Sequence, residues 1–162
     1  MSFVDDIKRR YISGNIVEKL IIINIAVFIL ALLMSVFSGL YNNESNFITT
    51  WFSLDDNYNA LLTKPWSIIS YGFLHAGFIH ILFNLIALYF IGNLFLEYFT
   101  QKQLLSFYLI GTFFGGILYL LSQNYFPLFE GRNSYLVGAS AGVSAIFIGI
   151  ATYMPNYQLL HI

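Results

Sequence analysis

Gly138-Ala-Ser-Ala-Gly142 heads the apolar run Val143-Ser-Ala-Ile-Phe-Ile-Gly-Ile-Ala-Thr-Tyr-Met154. No charge interrupts it, so the run belongs in hydrocarbon rather than in water. A serine framed by glycines at the head of such a run has two readings. Gly138-x-x-x-Gly142 is a small-residue motif that lets helices approach closely, and Ala141-x-x-x-Ala145-x-x-x-Gly149 continues such a face. Alternatively Ser140 is a nucleophile inside the bilayer, with Gly138 and Gly142 leaving room for a peptide backbone.

Upstream, another apolar segment opens His75-Ala-Gly-Phe-Ile-His80-Ile-Leu-Phe-Asn84. Polar and ionisable side chains are expensive at membrane depth and mark functional sites by default. His80 and Asn84 stand one helical turn apart, on one face, where both can donate hydrogen bonds to a single oxygen. The structural alternative is a polar pair that caps a helix or bonds across a bundle. Cleaving an amide bond requires a nucleophile, a base and donors for the developing oxyanion, and a helix amino terminus adds free N–H groups to the donors. Taken together, the two stretches point to proteolysis within a membrane. His75 falls on a different face from His80, nearer the preceding loop, and is expected to fix that loop.

Composition supports the membrane setting. The chain has 162 residues, 58% hydrophobic and 9% charged, with a mean hydropathy of +0.72. Soluble domains carry roughly 25% charged residues. The net charge of −1 comes with no basic patch that would suggest nucleic acid. The absence of cysteine excludes disulfides and thiolate metal sites, and three histidines without an acidic neighbour make a metal centre a poor expectation. Aromatic residues make up 19% of the chain, enough to populate interfacial belts.

A spanning helix needs about 20 apolar residues. Four segments are expected to span, at residues 16–40, 78–99, 104–122 and 136–154. The first follows Lys8-Arg9-Arg10 but is too long for a signal-peptide core of about 7–15 residues, so it reads as a retained helix after a cytoplasmic segment, 1–15. The loop 41–77 is too polar to span at Asn42-Asn43-Glu44 and Asp55-Asp56-Asn57. Its apolar pieces, Trp51-Phe52 and Pro65-Trp66, suggest interfacial or re-entrant packing. A second outer loop at 123–135 and a cytoplasmic tail at 155–162 complete the expected organisation. Lys8, Arg9, Arg10, Lys19 and Lys102 outnumber Lys64 and Arg132, so the amino terminus is expected in the cytoplasm. On that topology the second and fourth helices enter from the outer side, and His80, Asn84 and Ser140 share one depth.

Other features read as structure. Gly111-x-x-x-Gly115-Gly116 suits tight packing of the third helix. Glu97, near a helix carboxyl end where the macrodipole disfavours it, should have a partner such as Lys102 or a loop amide. Tyr89, Phe90 and Phe107-Tyr108 are expected to face lipid or the interface.

From about Pro65 to Met154 the chain resembles the rhomboid family of intramembrane serine proteases. Pro65-Trp66 and Tyr71-Gly-Phe-Leu-His75-Ala-Gly-Phe-Ile-His80 resemble that family's first loop and the start of its second helix. His80-x-x-x-Asn84 resembles its oxyanion-binding pair, Gly92-x-x-x-x-Glu97 a feature of the helix end, and Gly138-x-Ser140 its nucleophile motif. The resemblance implies an all-α, multi-pass bundle of six or more helices, of which four are present here. It implies Ser140 as nucleophile in a loop shaped by Gly138, and His80 and Asn84 as oxyanion donors. It also implies a plasma membrane location (in bacteria, the inner membrane), transmembrane proteins as substrates, the bilayer as partner, and no cofactor, metal or nucleic acid.

Three departures accompany the resemblance. Ser67 stands where many bacterial members carry arginine, and Ser144 where several place an aromatic that stacks on the catalytic histidine. The third concerns that histidine, which belongs to the family's sixth core helix. His161 lies 21 residues past Ser140, about 30 Å along a helix, and is not the base. The chain is therefore expected to be an amino-terminal fragment, inactive alone, whose base lies beyond Ile162. The small face at Ala141, Ala145 and Gly149 is expected to await neighbours from the missing helices. A non-catalytic client-binding relative is the alternative function, and a transporter fragment with polar helix starts lining a substrate path a third.

Overall fold

Three helices carry the apolar length that the composition demands. They are α1 (Ile16–Leu40), α5 (Phe78–Tyr98) and α6 (Gln101–Tyr125), with mean hydropathies of 2.9, 2.0 and 1.9. Each is long and apolar enough to cross a membrane. The computed structural model describes residues 12–40, 47–126 and 134–154, together with Asp5 and Lys8. A shorter apolar helix, α7 (Ser140–Tyr153), packs against α5 and α6. The chain is an all-α bundle of membrane helices. Its outer faces expose Ile29, Leu33, Phe83, Phe90, Phe114 and Leu118, an apolar coat that water would not tolerate.

The segment between α1 and α5 is folded rather than loose. It contains α2 (Phe47–Phe52), β1 (Leu54–Asp55), α3 (Tyr58–Thr63), α4 (Ser67–Ser70) and a 3₁₀ turn at Tyr71–Phe73. Polar side chains satisfy the exposed backbone of these short helices. Asn57 Oδ1 accepts the Asn59 N–H at 2.8 Å, and Ser70 Oγ donates to the Phe52 carbonyl at 2.7 Å. Trp66 Nε1–H donates to the Trp51 carbonyl at 2.9 Å while the two indoles stack, with centroids 6.3 Å apart. Ser67 is buried with its hydroxyl unpaired, so these contacts and not Ser67 tie the segment together.

Two helix starts differ from the sequence reading. α6 begins at Gln101 instead of 104, because Thr100 and Gln103 form a capping box that precedes the first apolar residue. The fourth helix begins at Ser140 instead of 136. Residues Tyr135–Leu136 form β2, antiparallel to β1, with Leu54 opposite Leu136 and Asp55 opposite Tyr135. That pairing takes the chain into an extended path, and the helix starts only after the turn at Gly138. Within the described residues α7 is 14 residues long, about 21 Å at 1.5 Å per residue. It is shorter than a full span.

Small residues bring α6 and α7 together. A Cβ on Gly115 would lie 2.5 Å from that of Ala141, and one on Gly111 would collide with that of Ala145. Phe107 lies against Gly149. The small face of α7 is thus already occupied by α6, contrary to the expectation that it awaits further helices. Gly92 makes the corresponding close approach of α5 to Val17 on α1. Tyr108 also departs from expectation: it is fully buried, and its hydroxyl donates to the Gly72 carbonyl at 2.9 Å. Phe107, one residue earlier, stays partly exposed, because adjacent helical positions point about 100° apart.

Candidate functional site

Ser140 is the first residue of α7. Its predecessor Ala139 makes no side-chain cap, and the helical bonding begins with the Val143 N–H to the Ala139 carbonyl at 3.0 Å. The N–H groups of Ser140, Ala141 and Gly142 therefore have no intrahelical acceptor, and they carry the positive end of the helix dipole. The hydroxyl of Ser140 is on the exposed side of this turn.

Gly138 shapes the approach. Its φ of 129° lies in a region that side chains avoid. Its N–H donates to the Tyr71 carbonyl at 3.0 Å, which ties the turn to the 3₁₀ segment before α5. A Cβ there would sit 2.8 Å from both Cε1 and Nε2 of His80, and 3.8 Å from Ser140 Oγ. Glycine is what allows the imidazole and the hydroxyl to flank one small space.

His80 is in the first turn of α5, and its Nδ1 accepts the Ala76 N–H at 3.4 Å. Accepting on Nδ1 leaves the proton of the neutral ring on Nε2, the nitrogen that faces Gly138. His80 therefore presents a donor to this space. To act as a base it would have to give up that arrangement. Asn84, one turn on, is 8% exposed and donates one amide hydrogen to the His80 carbonyl at 2.9 Å. Its second amide hydrogen is left for another acceptor. A cavity of about 390 Å³ opens here, lined by His80, Asn84, Ser140 and Ser144, with Phe83 and Val143 among its apolar walls.

The two helix starts, far apart in sequence, thus meet at one mouth. Among the described residues no hydrogen bond joins Ser140 Oγ to an imidazole. His161 lies outside the described residues. His75 faces His80 edge to face, with ring centroids 5.2 Å apart, and both its ring nitrogens are buried without a hydrogen-bond partner. Burial first, and the neighbouring His80 second, push its pKa down to about 4; the Phe73 backbone pulls weakly the other way. His75 is a neutral support for the loop and does not reach the cavity.

Sequence reasoning passed over the residues that hold the mouth in place. Tyr71 is 1% exposed, and its hydroxyl donates to the Thr112 carbonyl at 2.6 Å while its own carbonyl receives Gly138. Tyr71 opens a stretch quoted for the family resemblance, but its local sequence gives it no role of its own. Asp56 and Ser134 anchor the strand pair, and they are separated by too many residues for any local pattern to connect them.

Three helices long and apolar enough to cross a membrane define a multi-pass membrane protein, and two helix starts line one cavity in it. The rhomboid domain family matches residues 62–161, more than half of the chain, and the chain belongs to the rhomboid family. No curated protein and no solved structure matches it.

Proposed function

We propose that the chain carries the nucleophile and the oxyanion donors of an intramembrane serine endopeptidase. The observation that carries this reading is that His80 Nε2 and Ser140 Oγ both lie within 4 Å of the place a Gly138 Cβ would take, at 2.8 and 3.8 Å. In the reaction, Ser140 Oγ attacks the scissile carbonyl carbon of a transmembrane protein. Its proton passes to a base outside the described residues, and then to the leaving amine as the C–N bond breaks. The carbonyl oxygen, negative in the tetrahedral intermediate, accepts hydrogen bonds from the Ser140 N–H, His80 Nε2–H and Asn84 Nδ2–H. Water then hydrolyses the acyl-serine ester. No cofactor or metal has a role in these steps.

The short α7 gives the site its depth. A helix of about 21 Å is shorter than a hydrocarbon layer of about 30 Å, so if it ends at the far face its first turn lies below the near one. The proposed topology puts that surface outside, with the amino terminus in the cytoplasm and the protein in a plasma membrane, the inner membrane of a bacterium. Water reaches Ser140 through the polar mouth.

One observation favours a second reading, a membrane client-binding protein without proteolysis: Ser140 Oγ has no imidazole partner among the described residues. A single experiment separates the two. The full-length protein in proteoliposomes is given a model transmembrane substrate and, separately, a fluorophosphonate probe, alongside Ser140→Ala. Cleavage and labelling that both vanish in Ser140→Ala support the protease. Substrate retention by both proteins without cleavage or labelling supports the binder.

A further inference from the structure

Away from the residues that line this mouth, α1 carries a stripe formed by Ile16, Leu20, Ile23, Val27 and Leu30. The spacing of three and four residues keeps it on one helical face, about 21 Å long. Phe52, Phe73 and Leu105 from three other elements form the opposite wall, and the groove between them encloses about 510 Å³. That is within the range of ligand pockets, about 300–1,000 Å³. The groove has two polar residues, Lys19 and Ser70. The Ser70 hydroxyl is engaged with the Phe52 carbonyl. Lys19 remains, and among the described residues its ammonium has neither an ion pair nor a hydrogen bond. The adjacent Glu18 is turned into the helix cap, where its carboxylate accepts the Asn15 N–H at 3.1 Å.

We infer that this groove is a binding site for one anionic phospholipid, with an acyl chain along the α1 stripe and the phosphate on Lys19. An apolar groove on a membrane helix is filled by hydrocarbon in any case, because water gains nothing there. What distinguishes this one is Lys19, a cation near the helix start with no partner among the described residues, where a lipid phosphate would lie. Lys8, Arg9 and Arg10 precede it in sequence and raise the local concentration of anionic lipid. The tail of the bound lipid contacts Phe73 in the 3₁₀ turn whose first residue, Tyr71, receives the Gly138 N–H. The inference does not depend on what Ser140 does.

The test is lipid retention by the full-length protein, purified from detergent containing equal phosphatidylglycerol and phosphatidylcholine and read by native mass spectrometry. One phosphatidylglycerol is expected per chain, in preference to phosphatidylcholine. Lys19→Gln should weaken its retention about five-fold, the worth of one lysine at an anionic surface, and Lys19→Arg should restore it. Val27→Trp, which fills the groove, should release both lipids, with helicity by circular dichroism confirming the fold. Equal retention of the two lipids by the wild type would overturn the inference. So would loss of preference on replacing Lys8, Arg9 and Arg10 by glutamine while Lys19→Gln stays unchanged, or a Val27→Trp protein that still holds its lipid.

Discussion

Asp56 and Ser134 grip each other through side chain and backbone at once. The Ser134 N–H donates to Asp56 Oδ2 at 2.6 Å, and the Asp56 N–H donates to the Ser134 carbonyl at 3.2 Å. Asn124 Nδ2 donates to the Asp56 carbonyl at 2.8 Å, and the Tyr119 hydroxyl meets Ser134 Oγ at 2.8 Å. This cluster sits at the end of the β1–β2 pair, four residues before Gly138. It fixes the strand that delivers Ser140 to its place.

Asp56→Ala should therefore act at a distance. Removing a charged acceptor from a half-buried N–H costs about 1–3 kcal/mol, to be read as a lower melting temperature in detergent. If Ser140 is the nucleophile, turnover should fall while KM changes little, since the substrate does not touch Asp56. Asp56→Asn keeps an acceptor and should recover most of both. Unchanged turnover in a destabilised Asp56→Ala protein would show that the strand pair does not set the position of Ser140.

Gly138→Ala is expected to damage the mouth directly. It forces a side chain into a backbone region at φ 129° and places a Cβ 2.8 Å from the His80 ring. The strain alone is of order 1–3 kcal/mol, and the imidazole must also move away. On the proposed protease reading, loss of cleavage should accompany a lower melting temperature. A fully active, undiminished Gly138→Ala protein would contradict the close approach described here.

If His80 and Asn84 hold the oxyanion as proposed, Asn84→Ala and His80→Ala should each lower turnover by roughly 100- to 1,000-fold with a smaller effect on KM, the usual consequence of losing one such donor. The Nδ1 contact to Ala76 makes a sharper claim for His80. As a donor it is replaceable in part by glutamine, which has an amide hydrogen but no basic nitrogen. An inactive His80→Gln protein that still binds substrate would assign His80 the role of base instead.

His75 links stability to pH. Its folded pKa of about 4 lies below the ordinary histidine value of 6.5. Between those values the unfolded chain binds a proton that the folded chain does not, so stability rises with pH across this window. The contribution is complete above about pH 6.5 and is lost progressively toward pH 4. His75→Asn should flatten the melting temperature across that range. An equally steep profile in the variant would place the titration elsewhere.

Much of this protein follows from local chemistry. The apolar runs of α1, α5 and α6 must find hydrocarbon whatever their neighbours, and polar residues at their ends are visible because each is costly there. For the same reason Ser140, His80 and Asn84 stand out from sequence alone. A one-turn spacing suffices to put His80 and Asn84 on one face, since helical periodicity is local. The site's architecture is another matter. α7 starts at Ser140 and not at 136 because residues 135–136 pair with 54–55, a contact between segments some eighty residues apart that no local pattern encodes. Tyr108 is buried and Phe107 only partly covered, although both touch α7, because adjacent helical positions point about 100° apart and only the packing of the bundle decides which direction is inward. Gly138 illustrates the division: its lack of a side chain is a property of the sequence, but the need for it arises only when the His80 ring is brought within 2.8 Å by a different helix.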